Sequence, residues 1–265
     1  MTVFDFANIL FAGPCNRACP WCIGRKLPAR VNESNLDLWP LRSLDSFIAK
    51  VNDERVPEIV FTGTVTDPHL YRYEGELIEE LRRRLHPAAR ISVHTNGVLS
   101  LKKLAVFNLY DRAAISFPSF EPRIYDKLMG SRHVPDLARI LDRAAIPVKV
   151  SAVVNEHNEP GVEEFLERCR AIGVQRLVLR RLFSEGADTR PWPSFGGLHP
   201  AGQYRGNPVM DFSGMEVTLW SFEASTCRSL NLFADGTLGT SYLLTETKEL
   251  QRTGRPRLDV RESIC

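Results

Sequence analysis

The sequence predicts an α/β fold: a partial (β/α)6 barrel followed by a short C-terminal β-hairpin extension. Three observations predict it. Short apolar runs alternate with amphipathic stretches through the first two-thirds of the 265 residues, the pattern of repeated β–α units around a parallel sheet. The chain is 43% hydrophobic, enough for one large core, and α/β barrels of this length are commonly single units. Near the C-terminus, two apolar runs flank Asp235-Gly236, a strong short-range hairpin signal.

In chain order, the apolar runs predict strands over Val3–Phe11, Glu58–Thr62, Arg90–His94, Ala113–Phe117, Val148–Val154 and Arg176–Arg180. Between them, apolar residues at helical spacing predict helices over Leu41–Asn52, Glu74–Leu85, Leu101–Asn108, Val134–Ala144 and Val162–Ile172. The last is the clearest, because Glu163, Glu164, Glu167 and Arg168 lie off its apolar face and Gly173 supplies a C-terminal cap. From Ser184 to Asp211, Gly, Pro and aromatic residues dominate and no helical or strand period survives, so a loop is expected there. Glu216–Trp220, Ser229–Ala234 and Leu238–Tyr242 then predict strands, the last two forming the hairpin. Gln251 to Cys265 is charged and proline-broken, an expected loose tail. The expected organisation is a barrel core over 1–183, a Gly/Pro-rich loop over 184–212, and a hairpin extension with its tail over 213–265.

Lys and Arg number 34 against 32 Asp and Glu, so nothing in the net charge of +2 demands nucleic acid or a membrane surface. The opening MTVFDFANILFAG has no basic region ahead of its apolar run and carries Asp5 within it, unlike a signal peptide. No stretch approaches the ~18 apolar residues of a membrane span. Six cysteines in such a chain point to metal or catalysis more than to disulfides, and the expected location is cytoplasmic.

Half of those cysteines fall within eight residues, Cys15-Asn16-Arg17-Ala18-Cys19-Pro20-Trp21-Cys22. Three thiolates spaced CxxxCxxC on a loop after an apolar run can converge on one soft-metal site. Sets of four cysteines hold iron–sulfur clusters or zinc, but no fourth cysteine or histidine lies nearby. A [4Fe–4S] cluster held by three leaves one iron open to a substrate or cofactor. The alternatives are a zinc knuckle or three unrelated thiols.

This loop resembles the cluster loop of the radical S-adenosylmethionine (SAM) superfamily, whose open iron binds the amino and carboxylate groups of SAM. The resemblance implies a TIM-like partial barrel, one [4Fe–4S] cluster on Cys15, Cys19 and Cys22, SAM, and an electron donor such as flavodoxin or ferredoxin. It extends along the chain in order. Gly63-Thr64-Val65-Thr66-Asp67-Pro68 loosely resembles the family's Gly-Gly-Glu-Pro segment, with two residues inserted and Asp67 in place of the acid near the SAM ammonium. His94-Thr95-Asn96-Gly97 resembles the Thr-Asn-Gly segment after the third strand. Ser116 stands where the family tends to place Ser-Leu-Asp, although the acid is missing. Asn155, after Val153-Val154, matches a valine–asparagine stretch. Gly63, Thr64, Asp67, Thr95, Asn96, Ser116 and Asn155 are thus the implied SAM-holding residues, with Arg180 of Arg180-Arg181 suited to a carboxylate or phosphate.

The segment Thr226-Cys227-Arg228-Ser229-Leu230-Asn231-Leu232-Phe233-Ala234-Asp235-Gly236 is similar to the C-terminal hairpin of the GTP 3',8-cyclase (MoaA-like) branch. Three cysteines hold a second cluster there, but here only Cys227 is kept, with Ala224 and Ser241 at the other two positions. The expectation is one cluster and no GTP cyclisation. Cys227 is expected either to pack or to act catalytically as a hydrogen donor near the substrate; Cys169 is expected in the core. His69, His94 and His157 are expected as loop hydrogen-bonders. The implied activity is reductive cleavage of SAM followed by hydrogen abstraction from a small nucleoside, sugar or amino-acid-like substrate. A peptide- or protein-modifying maturase and a non-enzymatic metal-binding module are the alternatives.

Overall fold

The computed structural model describes residues 4–183 and 191–240. Eight strands run parallel: β1 (Phe6–Phe11), β2 (Glu58–Gly63), β3 (Arg90–Thr95), β4 (Arg112–Ser116), β5 (Val148–Val154), β6 (Arg176–Arg181), β9 (Met215–Trp220) and β10 (Ser229–Leu232). The remaining strands are β7 (His199–Tyr204), β8 (Asn207–Phe212) and β11 (Leu238–Gly239). All belong to one open sheet in the order β11-β10-β1-β2-β3-β4-β5-β6-β9-β8-β7. The α/β partial barrel is therefore present. It is not closed, and β9 and β10 extend the parallel sheet at its two flanks beyond the six β–α units expected.

The connecting helices are α1 (Leu44–Asp53), α2 (Glu74–Arg84), α3 (Leu104–Phe107), α4 (Pro122–Met129), α5 (Leu137–Arg143) and α6 (Val162–Ala171). Side chains of a strand alternate between faces, and here the alternation separates two environments. Ala7, Ile9, Ile59, Phe61, Ile91, Val93, Ile115, Val150 and Leu179 join one apolar core with Phe47, Leu77, Leu81, Ile140 and Leu166 of the helices. The opposite face is polar: Asn8, Ser92, His94, Arg112, Lys149 and Arg180 occupy the intervening positions. Helices thus cover the outside, and the inner, concave face is left for chemistry.

Three features differ from the expectations. α4 lies between the fourth and fifth strands where no helix was predicted; Pro122 opens it and Gly130, in the left-handed region at φ 65°, ends it. Of the loop expected before Asp211, His199 onward forms the antiparallel pair β7–β8. Its turns are Arg205-Gly206 (φ 51° and 84°) and Ser213-Gly214 (φ 49° and 88°), both of the positive-φ kind that matches hairpin twist. Every residue of β7 is exposed, so no apolar alternation marked the strand in the sequence. The third difference concerns the C-terminal hairpin. β10 and β11 do pair antiparallel around Asp235-Gly236, but β10 also pairs parallel with β1. The hairpin is part of the sheet, and Asn8 Nδ2 donates to Asn231 Oδ1 across that seam at 2.7 Å. The predicted strand end at Tyr242, the tail over Gln251–Cys265, Ser241 and Cys265 lie outside the described residues.

Candidate active site

The loop after β1 carries the three cysteines and is held against the ends of β2 and α4. Backbone and side chain of Thr64 both donate to Phe11 O, at 2.8 and 3.2 Å. Thr66 Oγ1 donates to Pro14 O at 2.6 Å. On the other side, Ala18 N donates to Met129 O at 3.2 Å, and the Cys19 thiol lies 3.7 Å from the same carbonyl. The Cys22 thiol lies 3.5 Å from Thr64 O. Backbone packs so closely here that a Cβ on Gly24 would stand 1.9 Å from Thr64 O, and one on Gly63 1.8 Å from Thr66 O. Only glycine fits either position.

Burial raises the Cys15 thiol pKa, and the charges of Asp67 and Cys22 add to the shift. Burial pushes Cys19 up to about 11, with Cys22 and Cys15 adding to it. The thiols of the loop thus act on one another, and the charge of Asp67 reaches Cys15. A cation placed among them reverses this penalty, because a coordinating thiol is deprotonated outright. Among the described residues no three His, Cys, Asp or Glu side chains already stand as a metal-holding group, so convergence takes rotation of the cysteine side chains. The donor set, three partly buried thiols on one braced loop, fits a three-cysteine cluster.

Asp67 is 3% exposed and fully engaged. Its carboxylate accepts from Thr95 Oγ1 at 2.9 and 3.0 Å, from Asn96 N at 2.7 Å and from His69 N at 3.0 Å. Asn96 Nδ2 in turn donates to Asn16 Oδ1 at 2.7 Å. Gly63, Thr64, Asp67, Thr95, Asn96 and the cysteines thus meet in one hydrogen-bonded patch. Asn16, inside the cysteine motif, is the link that sequence reasoning missed.

Behind Asp67 lies a buried ionic network. Glu74, 1% exposed at the start of α2, accepts from Lys103 Nζ at 2.6 Å and Tyr110 Oη at 2.7 Å, and lies 2.7 Å from His69 Nδ1. Burial alone would raise the Glu74 carboxyl, but the hydrogen bonds and charges of His69 and Lys103 outweigh it and hold the pKa below its usual value. His69 was expected as a loop hydrogen-bonder and is one. His94 instead points from within β3 to the inner face, where burial and the charges of Lys149, Arg180 and Arg112 drive its pKa well down. His157 lies 3.7 Å from Glu156.

Ser116 ends β4 and is exposed at the mouth. Asn155, just past β5, is buried; its Oδ1 accepts from His157 N, while its Nδ2 has no partner. Arg180 stacks on Trp220 with 4.5 Å from guanidinium to ring centre. Burial lowers its pKa to about 10 against an opposing effect of Cys227. Cys169 is buried in the core as expected, its thiol raised to about 12 by burial. A cleft lined by Phe120, Ile124, Phe165 and Leu179 opens on the helical side of the sheet, away from the cysteines.

A parallel, partly wound sheet with a three-thiol loop on its first strand defines the radical SAM type of barrel. Residues 9–177 match the family model described as the Radical SAM superfamily, and the chain belongs to that superfamily. Its cofactors are accordingly a [4Fe–4S] cluster and SAM, and it is an enzyme of the SAM-radical class. Streptococcus suis SuiB, solved bound to its precursor peptide SuiA, has a similar fold at 16% identity and a TM-score of 0.55, over 70% of this chain and 41% of SuiB. The protein anSMEcpe, solved with bound AdoMet, is similar at 16% identity and a TM-score of 0.50, over 68% of this chain and 52% of its own. The chain thus spans about half the length of these relatives or less. No curated protein matches it significantly. Among the described residues no helix is long and apolar enough to cross a membrane.

Proposed function

We propose that this chain cleaves SAM reductively and uses the product to take a hydrogen atom from a small nucleoside, sugar or amino-acid-like molecule held on the inner face of the sheet. One observation carries the reading: Asn16, Asn96, Thr95 and Asp67 form a continuous bonded chain from the cysteine loop to the ends of β2 and β3. When bound, the cluster and SAM supply the electron and the hydrogen-abstracting radical. Cys15, Cys19 and Cys22 hold the cluster. Thr64, Asn96 and the free Nδ2 of Asn155 stand ready for SAM, and Ser116 flanks the mouth. Asp67 works through Thr95 and Asn96, fixing their orientation, so its effect on SAM is one of positioning.

Anaerobically reconstituted protein with dithionite should release 5'-deoxyadenosine from SAM even without substrate; a fully loaded protein that does not would overturn the reading. Asp67→Ala should keep its iron but bind SAM with an affinity lower by about 1.5–3 kcal/mol, the scale of a lost charge-assisted bond. Unchanged SAM affinity would show that Thr95 and Asn96 keep their places without the carboxylate.

What speaks for the MoaA-like hairpin resemblance is the antiparallel β10–β11 pair about Asp235-Gly236 and the retained Cys227. In this reading Cys227 gives its thiol hydrogen to a product radical, and one electron from the external reductant, a flavodoxin or ferredoxin, with one proton from solvent, returns the thiyl radical to the thiol. Cys227→Ser should then leave SAM cleavage intact but stall or divert product. Normal product from that variant assigns Cys227 to packing. A peptide substrate is the second reading, favoured by β7, an edge strand exposed along all six residues to which an extended chain can add.

A further inference from the structure

The turn that carries Asp67 is gripped from behind. Pro68–Leu70 is a single 3-10 turn, capped at its start by Asp67, whose side chain accepts from His69 N. A turn this short leaves its last carbonyls without internal donors. Lys103, just ahead of α3, supplies them: its Nζ donates to His69 O at 2.8 Å and to Tyr71 O at 3.5 Å. The same ammonium donates to Glu74 Oε2 at 2.6 Å, while Glu74 Oε1 lies 2.7 Å from His69 Nδ1 and accepts from Tyr110 Oη. One cation and one carboxylate thus hold the turn by its backbone and by its imidazole. The Glu74 side chain is 1% exposed and that of Lys103 27%. Such a pair adds little stability over packed apolar residues of similar volume, because its charges must be desolvated. What it does supply is direction: each bond fixes one atom of the turn.

We infer that Lys103 and Glu74 are positioning residues for SAM binding: they hold the Asp67 turn where its carboxylate orients Thr95 and Asn96. The inference rests on the proposed function for the claim that this segment holds SAM. The relay has no gap. Lys103 and Glu74 fix His69, the His69 amide donates to Asp67 Oδ1, and Asp67 Oδ2 accepts from Asn96 N at 2.7 Å. Asn96 then reaches the cysteine loop through Asn16. Glu74 is buried, so it acts on SAM through this relay and not by contact. A pair that serves packing alone is the competing role, and the two separate when both charges are removed together.

The test compares the double variant Glu74→Gln/Lys103→Met with wild type. It keeps an acceptor for Tyr110 and leaves no buried charge of the pair unmatched, so its urea midpoint should stay near the wild-type value. In the unloaded chain, hydrogen exchange read by NMR should be faster at the His69 and Asn96 amides, both of which donate to Asp67. In the cluster-loaded chain, iron content should be unchanged. The SAM Kd, and the KM for SAM in 5'-deoxyadenosine release, should rise at least about tenfold with the rate at saturating SAM kept. Should the double variant fail to fold, Lys103→Gln, whose shorter neutral side chain cannot serve both carbonyls and Glu74, is read by the same measurements with the same expectation. Wild-type exchange at both amides, or wild-type SAM affinity, in a folded and loaded variant overturns the inference. A wild-type chain that binds no SAM sinks the functional reading and this inference with it, whereas a variant that binds SAM normally sinks this inference alone.

Discussion

Replacing any one of Cys15, Cys19 or Cys22 by alanine should abolish iron uptake, whereas Cys169→Ala and Cys227→Ala should keep it. The wild-type chain should bind about four irons and four sulfides, the content of one cysteine-ligated cluster. The all-or-none outcome follows from the donor set. Two thiols cannot replace three, and Cys169 lies fully buried in the helical core, away from the loop. Elemental analysis and the visible absorbance lost on adding dithionite measure it. Stoichiometric zinc without iron would sink the assignment, and about eight irons would mean that the C-terminal hairpin holds a second cluster.

The second large effect is expected at Glu74. Glu74→Ala strips one carboxylate from Lys103, Tyr110 and His69 together, leaving a partly buried ammonium without its counter-charge. Breaking a buried ion pair from one side costs about 3–5 kcal/mol, so urea unfolding should move by that amount. Glu79→Ala, on the exposed face of the same helix, should change stability by less than about 0.5 kcal/mol. The pH dependence has a definite sign. The folded-state pKa of Glu74 is depressed, so its contribution is present above the unfolded carboxyl value of about 4.3 and is lost as pH falls toward the folded value. A loss under about 1 kcal/mol would show that water replaces the carboxylate.

The cysteine loop was legible because its information is local: three thiols and their spacing sit in eight residues. The parallel strands were legible for a related reason, as buried runs such as Phe6–Phe11 and Arg176–Arg181 stand out between charged helices. Asn16 was not, since its meaning depends on Asn96, 80 positions away. Lys149 was half-legible. The alternation Val148-Lys149-Val150-Ser151-Ala152 already puts Lys149 opposite the core-facing valines, but only the register of the neighbouring strand shows it level with Arg176. β7 and β8 were hidden because a fully exposed edge strand needs no apolar period, although the Arg205-Gly206 and Ser213-Gly214 turns were in plain view. α4 went unread despite its Pro122 start and Gly130 stop, the asymmetry that brackets helices in general.

The seam between β1 and β10 has a consequence for biogenesis. The strand that presents the cysteines has its first neighbour, β2, within about sixty residues, but its other flank is closed only by residues 229–232. During synthesis some 220 residues therefore emerge before Asn8 meets Asn231. Until then β1 is a bare sheet edge with an unpaired amide, the kind of surface that recruits foreign strands. Maturation of the metal centre on a fully seated loop is thus coupled to synthesis through Leu232, and a ribosome stalled before Ser229 leaves its product with that edge open.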